Sequence, residues 1–307
     1  MELIHVHGNS YYADGVLSVG VYLHPHKKTA IIIDSTNDKD GIKKVDKAVS
    51  QLGYQINTII NTHGHADHIG GNDYLQRKYD DLRIYATAFE KSFIEQPYLE
   101  PLMFTSGAAP YAQLKTKQLQ AKPSIVTDVI PFEDHIRLID GVPFHIVTTP
   151  GHSNAMINVM SPDGVMYGAD ALFGPAIVDK IGLLLFTDIE KTIQTLHKLK
   201  SLHESETMTA YVLYHGGVTE HMSDLIQQHI QGIQDAIAYF KNEIQIAGAI
   251  PFHQLLQQCM THYKIPDHVA PYTFTHTVVH AYVSYLQQQA FVNLHVQNGT
   301  LILSHLE

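Results

Sequence analysis

Residues 61–71 read NTHGHADHIGG, which puts His63, His65, Asp67 and His68 within six positions of one another. Imidazole nitrogen and carboxylate oxygen are ligands for zinc, and equally for manganese or iron. Cys259 is the sole cysteine and lies far along the chain, so a thiolate-held structural site is excluded. His63 and His65 are two residues apart, and in an extended loop both can face one cation. Asp67 and His68 are adjacent and must point in different directions, which divides the four side chains between two cations. Gly70 and Gly71 let the backbone pass close to such a cluster.

One loop cannot complete two coordination spheres, so further ligands must come from elsewhere. The β-branched run INTII (residues 56–60) leads directly into the motif. Ligands placed just beyond the carboxyl ends of strands are where α/β folds put their sites. Three more candidates follow the same rule. His152 follows FHIVTTPG, Asp170 follows VMYGA, and His215 follows YVLY.

The elements that must position these residues are legible from periodicity. Strands are expected over 17–23, 29–34, 56–60, 82–87, 136–139, 144–149, 156–160, 165–167 and 211–214. Helices are expected over 41–52, 72–78 and 189–202. A long helix carries the apolar stripe Ile226, Ile230, Ile233, Ile237, Phe240 and Ile244. Residues 88–130 are irregular, with Pro97, Pro101, Pro110 and Pro123. They read as a surface connection with some helix, or as a lid whose Tyr98, Leu102, Met103, Phe104 and Tyr111 favour a partly apolar substrate. After residue 247 come helices over 251–263 and 275–288, then a terminal hairpin turning on Asn298-Gly299. The expected division is a main domain over 1–247 and a small winged-helix-like appendage over 248–307.

Composition removes several classes. The 307 residues are 45% apolar, enough for a sizeable core, and no run approaches the roughly 20 apolar residues of a membrane span. The start, MELIHVHGNSYYADG, has none of the parts of a signal peptide, and a cytoplasmic setting is expected. Twenty Lys+Arg against thirty Asp+Glu give a net charge of −10. No basic run is present, which speaks against nucleic acid as a partner. Lys241 and Lys264 are the fixed cations near the appendage, so packing or homodimerisation is its expected role rather than DNA binding. The chain holds 22 histidines, and most need a bland reading. His5, His7, His24 and His26 read as surface or edge residues ahead of the fold proper. His197, His203, His221 and His229 read as solvated helix positions, and Cys259 as a core residue.

THGHADHIGG, TPGHS, GADALF and a strand ending in His-Gly-Gly together resemble the metallo-β-lactamase superfamily, over roughly residues 15–220. The resemblance implies an α/β fold of the αββα kind, two sheets face to face with helices outside. It implies a first metal held by His63, His65 and His152, a second held by Asp67, His68 and His215, and Asp170 bridging them. It further implies two divalent ions, Zn2+ with Mn2+ or Fe2+ as substitutes. These would activate a hydroxide, which Asp67 helps to orient, against a small-molecule ester, thioester or lactone. GADALF is similar to a stretch of glyoxalase II, but the basic residues that hold glutathione there have no evident match. Two other readings stay open: a mononuclear-iron persulfide dioxygenase, and a non-catalytic binding module of the same fold.

Overall fold

A computed structural model describes every residue except Glu206, Glu220, His221 and Glu307. Along the first half run β1 (Leu3–His7), β2 (Ser10–Ala13), β3 (Val19–His24), β4 (Thr29–Ile33), α1 (Lys39–Gln51), β5 (Gln55–Ile60), α2 (Ala66–Ile69), α3 (Asn72–Lys78), β6 (Arg83–Thr87), α4 (Ala88–Glu95), α5 (Leu99–Met103) and β7 (Asp128–Ile130). The seven strands form one sheet in chain order, antiparallel from β1 to β4 and parallel from β4 to β7.

The second half supplies β8 (His135–Ile139), β9 (Val142–Thr148), β10 (Ile157–Met160), β11 (Val165–Gly168), α6 (Pro175–Ile181), α7 (Ile189–Glu204), β12 (Ala210–Leu213), β13 (Gly217–Thr219) and α8 (Met222–Ala247). Its six-stranded sheet has the order β13-β12-β11-β10-β9-β8. The chain then continues through β14 (Ala249–Pro251), α9 (Phe252–His262), α10 (Val269–Gln288), β15 (Val292–Gln297) and β16 (Thr300–His305), with sheet order β14-β16-β15.

The two large sheets pack face to face because their strands are apolar on both sides. In β4, Ile31 and Ile33 point inward to meet Phe144, Ile146 and Val159 of the other sheet. Ala30 and Ile32 point outward to Ile42, Val45 and Val49 of α1. The period-2 alternation of a strand thus feeds two separate apolar layers. The outer face of the second sheet is covered by α7 and α8, and the same apolar cluster continues through α9 and α10 to Leu303 of β16. The result is the αββα sandwich. The terminal order of strand, two helices and hairpin is winged-helix-like, and α8 precedes it as a first helix.

Two sequence expectations need correction, and a third can be sharpened. Residues 3–13 do not precede the fold: β1 and β2 are strands of the first sheet, and His5 and His7 stand exposed on its edge. The 88–130 stretch carries α4 and α5, in keeping with a connection that includes some helix. Of the aromatic and apolar residues singled out there, Phe104 is buried against Phe274 of α10, whereas Tyr98 and Tyr111 are exposed. Finally, His229 is not solvated. It is 2% exposed on the buried face of α8, between Ile226 and Ile233, where the 3.6-residue period already placed it. Among the other helix histidines, His197 is exposed, and His221 lies outside the described residues.

Candidate metal centre

The site sits where β4, β5, β11 and β12 end on the same edge of the sandwich. At the end of β4, Asp34 takes a left-handed φ of 62° and is almost fully buried. Its carboxylate accepts from the Thr62 backbone N–H at 2.9 Å and from Thr62 Oγ1 at 2.7 Å. It also accepts from His68 Nδ1 at 2.8 Å. That bond fixes the imidazole and leaves Nε2 as the outward-facing atom. The loop after β5 then runs tightly past its neighbours. A Cβ on Gly70 would lie 2.3 Å from the Asn37 backbone, and one on Gly71 would lie 2.2 Å from Ser35 O, so only glycine fits.

Two buried glutamates hold the rest of the loop. Glu90 of α4 accepts from Gly64 N–H at 2.9 Å, and its other oxygen accepts from Ser153 Oγ at 2.6 Å and Ala155 N–H at 3.1 Å. It therefore ties the loop carrying His63 and His65 to the loop carrying His152. Glu100 of α5 accepts from Ala66 N–H at 2.8 Å. Burial pushes the carboxyl groups of both glutamates up, and Asp67 adds to the effect at Glu100.

All seven residues singled out from the sequence come together. His63 Nε2 and His152 Nε2 lie 3.1 and 2.9 Å from His65 Nδ1. His152 is held from behind, its Nδ1 donating to Leu185 O at 2.7 Å. On the other side, His215 Nε2 is 3.4 Å from Asp67 Oδ2, and His68 Nε2 is 3.9 Å from the same oxygen. Asp170 stands between. Its Oδ2 is 3.4 Å from His152 Nε2, while its Oδ1 is 3.2 Å from His68 Nε2 and 3.5 Å from His215 Nε2. The ligand atoms gather as His63/His65/His152 and Asp67/His68/His215, with His63, His68 and Asp170 forming a third, overlapping set.

Electrostatics differ across the site. Burial holds His63 well below its ordinary range and His65 at about 3, and neighbouring imidazoles push the same way. Burial also lowers His152 and outweighs the pull of Asp170. At His68 and His215 burial again opposes the charged form, but Asp170 and Asp67 overcome it, with Asp34 helping at His68; His215 is raised to about 10. Burial works against ionisation of Asp170 too, yet His215, His68 and His152 hold it well below the carboxylate range.

Sequence reasoning missed the supporting residues. Asp34 closes a buried strand, which is a readable signal. Glu90 and Glu100 sit in helical segments that look like solvated ones, and nothing local marks them. Tyr214 stacks on His68 with ring centroids 3.9 Å apart and donates to Asp67 O at 2.6 Å. His229 Nε2 accepts from Phe173 N–H at 3.0 Å and anchors the loop that follows Asp170.

An αββα sandwich with a histidine–aspartate centre at its strand ends defines a class, and comparison with known proteins agrees. The metallo-β-lactamase superfamily model matches residues 14–225, so the chain belongs to that superfamily. It is 24% identical over 186 residues to a hydroxyacylglutathione hydrolase of Nostoc sp. (strain PCC 7120), covering 59% of this chain and 58% of that one. It is 29% identical over 165 residues to the "Probable metallo-hydrolase YqgX" of Bacillus subtilis (strain 168), covering 50% of this chain and 69% of that one. The chain thus spans a little under three fifths of the length of the first curated relatives it matches. Among solved structures, a metallo-beta-lactamase family protein from Thermus thermophilus superposes with a TM-score of 0.70 at 15% identity, over 94% of both chains. A metallo-beta-lactamase from Pontibacter korlensis superposes at 0.55 and 14% identity, over 76% of this chain and 98% of that one. The first of these therefore aligns over most of the C-terminal segment as well.

Proposed function

We propose that this chain is a metal-dependent hydrolase with a dinuclear centre, acting on a small ester, thioester or lactone. The observation that carries the reading is the position of Asp170, whose two oxygens face the two ligand groups. The donor set fits a pair of cations on its own geometry. Nitrogen ligands at the usual zinc distance form a tetrahedron with edges of about 3.3 Å, and the separations above cluster near that value. His68 Nε2 and Asp170 Oδ1 are buried and 3.2 Å apart, yet neither has a hydrogen-bond partner among the described residues. A divalent ion between them would satisfy both.

His63, His65 and His152 would hold one ion, and Asp67, His68 and His215 the other, with Asp170 shared. Five imidazoles and two carboxylates suit zinc; manganese and iron take the same donors. Bound there, the ions supply an ionised water at neutral pH and a positive charge facing the oxygen that gains electrons. The protein's part is positional. Asp67 is the most exposed of the carboxylates at the centre, lines the adjoining cavity, and is placed to orient the attacking water. Phe173, 6% exposed beside His152 and His215, screens the site from bulk water.

No described helix is long and apolar enough to cross a membrane. A panel of esters, thioesters, lactones and phosphodiesters, run with metal-replete protein, tests the reading. Hydrolysis of the carboxylic substrates that stops with chelation and returns with zinc supports it. Persulfide oxidation by an iron-loaded chain, or inactivity on all substrates, would overturn it.

A further inference from the structure

A cavity of about 1400 Å³ opens directly on the centre, with His65, Asp67, His152 and Asp170 in its wall. That exceeds the roughly 300–1,000 Å³ of an ordinary small-molecule pocket. Much of the apolar part of the remaining wall comes from three separate segments. The connection after α4 gives Phe104, the loop around and beyond α6 gives Ile181 and Leu184, and α10 gives Phe274 and Val278.

The sequence of α10 explains its place. Its twenty residues, VAPYTFTHTVVHAYVSYLQQ, include no Asp, Glu, Lys or Arg. One face, with Val279, Tyr282, Val283 and Leu286, enters the C-terminal core. A second face, carrying Ala270, Pro271, Phe274, Thr275 and Val278 at helical spacing, lines the cavity. This helix occupies the position of the third helix in a winged-helix arrangement, the one that would lie in a DNA groove. Here the helix instead turns Ala270, Pro271, Phe274, Thr275 and Val278 toward the cavity that holds the centre. Phe104 and Phe274, with centroids 4.5 Å apart, join the two walls. At the mouth, Val16 is 94% exposed and Ile181 is 44% exposed, apolar surface that a bound apolar group would cover. Lys44, Lys180 and Lys264 stand exposed among the lining residues with Asp14 and Asp40, so charge of both signs is available where a polar end would emerge.

We infer that the substrate carries an extended apolar acyl or ring substituent, of medium-chain fatty-acyl size, lying in this cavity against Phe104, Leu184 and α10 with its scissile carbonyl at Asp170. This rests on the hydrolase reading and narrows it, and it separates this chain from relatives named for a glutathione thioester. Burying each methylene favours the longer chain by up to about fourfold. With partial burial, about twofold per methylene is expected, so octanoyl esters should exceed acetyl esters by at least about 50-fold in kcat/KM.

The test uses the full metal-loaded chain with p-nitrophenyl esters from acetate to decanoate, and S-lactoylglutathione for comparison. A second measurement follows binding of 11-(dansylamino)undecanoic acid by fluorescence, with and without chelator. Ala270→Trp and, separately, Leu184→Trp fill the cavity, with circular dichroism reporting their folding. A rise with chain length that either folded variant flattens, with weaker probe binding, supports the inference. A flat series, or S-lactoylglutathione preferred over every ester, overturns it and leaves the hydrolase reading standing. Probe binding that the variants weaken, with no hydrolysis of any substrate, would sink the hydrolase reading and keep the apolar occupant. Neither binding nor hydrolysis would sink both.

Discussion

The two halves of the centre use the same residue type in opposite ways. On the side of His63, His65 and His152 the candidate ligands are three imidazoles with only the shared Asp170 beside them, and burial favours their neutral form. On the side of His68 and His215, carboxylates overcome burial and hold positive charge in place. The first half offers lone pairs with little charge. The second offers a field that favours any cation, a proton included, so there a metal ion must displace protons before it binds. Histidine count does not make this difference. It comes from Asp34, Asp67 and Asp170 reaching one side more than the other.

Replacing Asp170 should give the largest effect, because its two carboxylate oxygens face the two halves. Asp170→Ala is expected to abolish turnover and lower bound metal while the chain stays folded, as judged by circular dichroism and elemental analysis. His65→Ala should also abolish turnover, but with metal loss confined to the first half. Full activity in either variant would overturn the assignment. Asp34→Asn acts directly behind His68 and reaches His63 only at one remove, through Thr62 Oγ1, which lies 3.2 Å from His63 Nδ1. It should weaken the second ion's affinity by about 10- to 100-fold, read by zinc titration against a competing chelator, with the first ion nearly unaffected. Equal loss of both ions would erase the proposed distinction between the halves.

Tyr214→Phe keeps the stack on His68 and removes the bond to Asp67 O, at a cost of about 1 kcal/mol. Its effect on the second ion should stay within about tenfold. The smallest effect on the centre is expected far from it, in the turn between β8 and β9. There Asp140 ties the two sheets together by accepting from Lys27, Thr29 and Asn57. Burial works against its ionisation, but these donors hold it below the usual carboxylate range. A depressed carboxyl stabilises the fold above its ordinary pKa of about 4 and loses that contribution as pH falls through the folded value. After allowing for solvent screening, Asp140→Asn should cost about 1 kcal/mol near neutrality. The cost should shrink below about pH 4, as chemical denaturation at several pH values would show, with both metal affinities unchanged.

How much was readable in advance follows the range of the interactions. The seven candidate ligands were legible because each follows an apolar strand run, and a strand end is a local pattern. The αββα sandwich was implied by motif resemblance, and the strands by their alternation. Glu90 and Glu100 were not legible, since a glutamate in a helix becomes a buried clamp only when another loop, hundreds of atoms away along the chain, packs over it. His229 was legible in principle: it occupies a stripe position of α8, and its reading as solvated gave side-chain polarity more weight than periodicity. The hairpin of β1 and β2 was missed because its strands are only five and four residues long, too short for alternation to stand out. The role of α10 was hidden for a different reason: a helix apolar on two faces looks like core, and the sequence does not say that one of those faces borders a cavity.

The most direct measurement is anomalous diffraction at the zinc edge from crystals of the full chain grown with zinc. The account predicts two peaks, about 3.5–4 Å apart, one within reach of His63, His65 and His152, the other of Asp67, His68 and His215, with Asp170 contacting both. A single peak, or peaks elsewhere in the molecule, would contradict it.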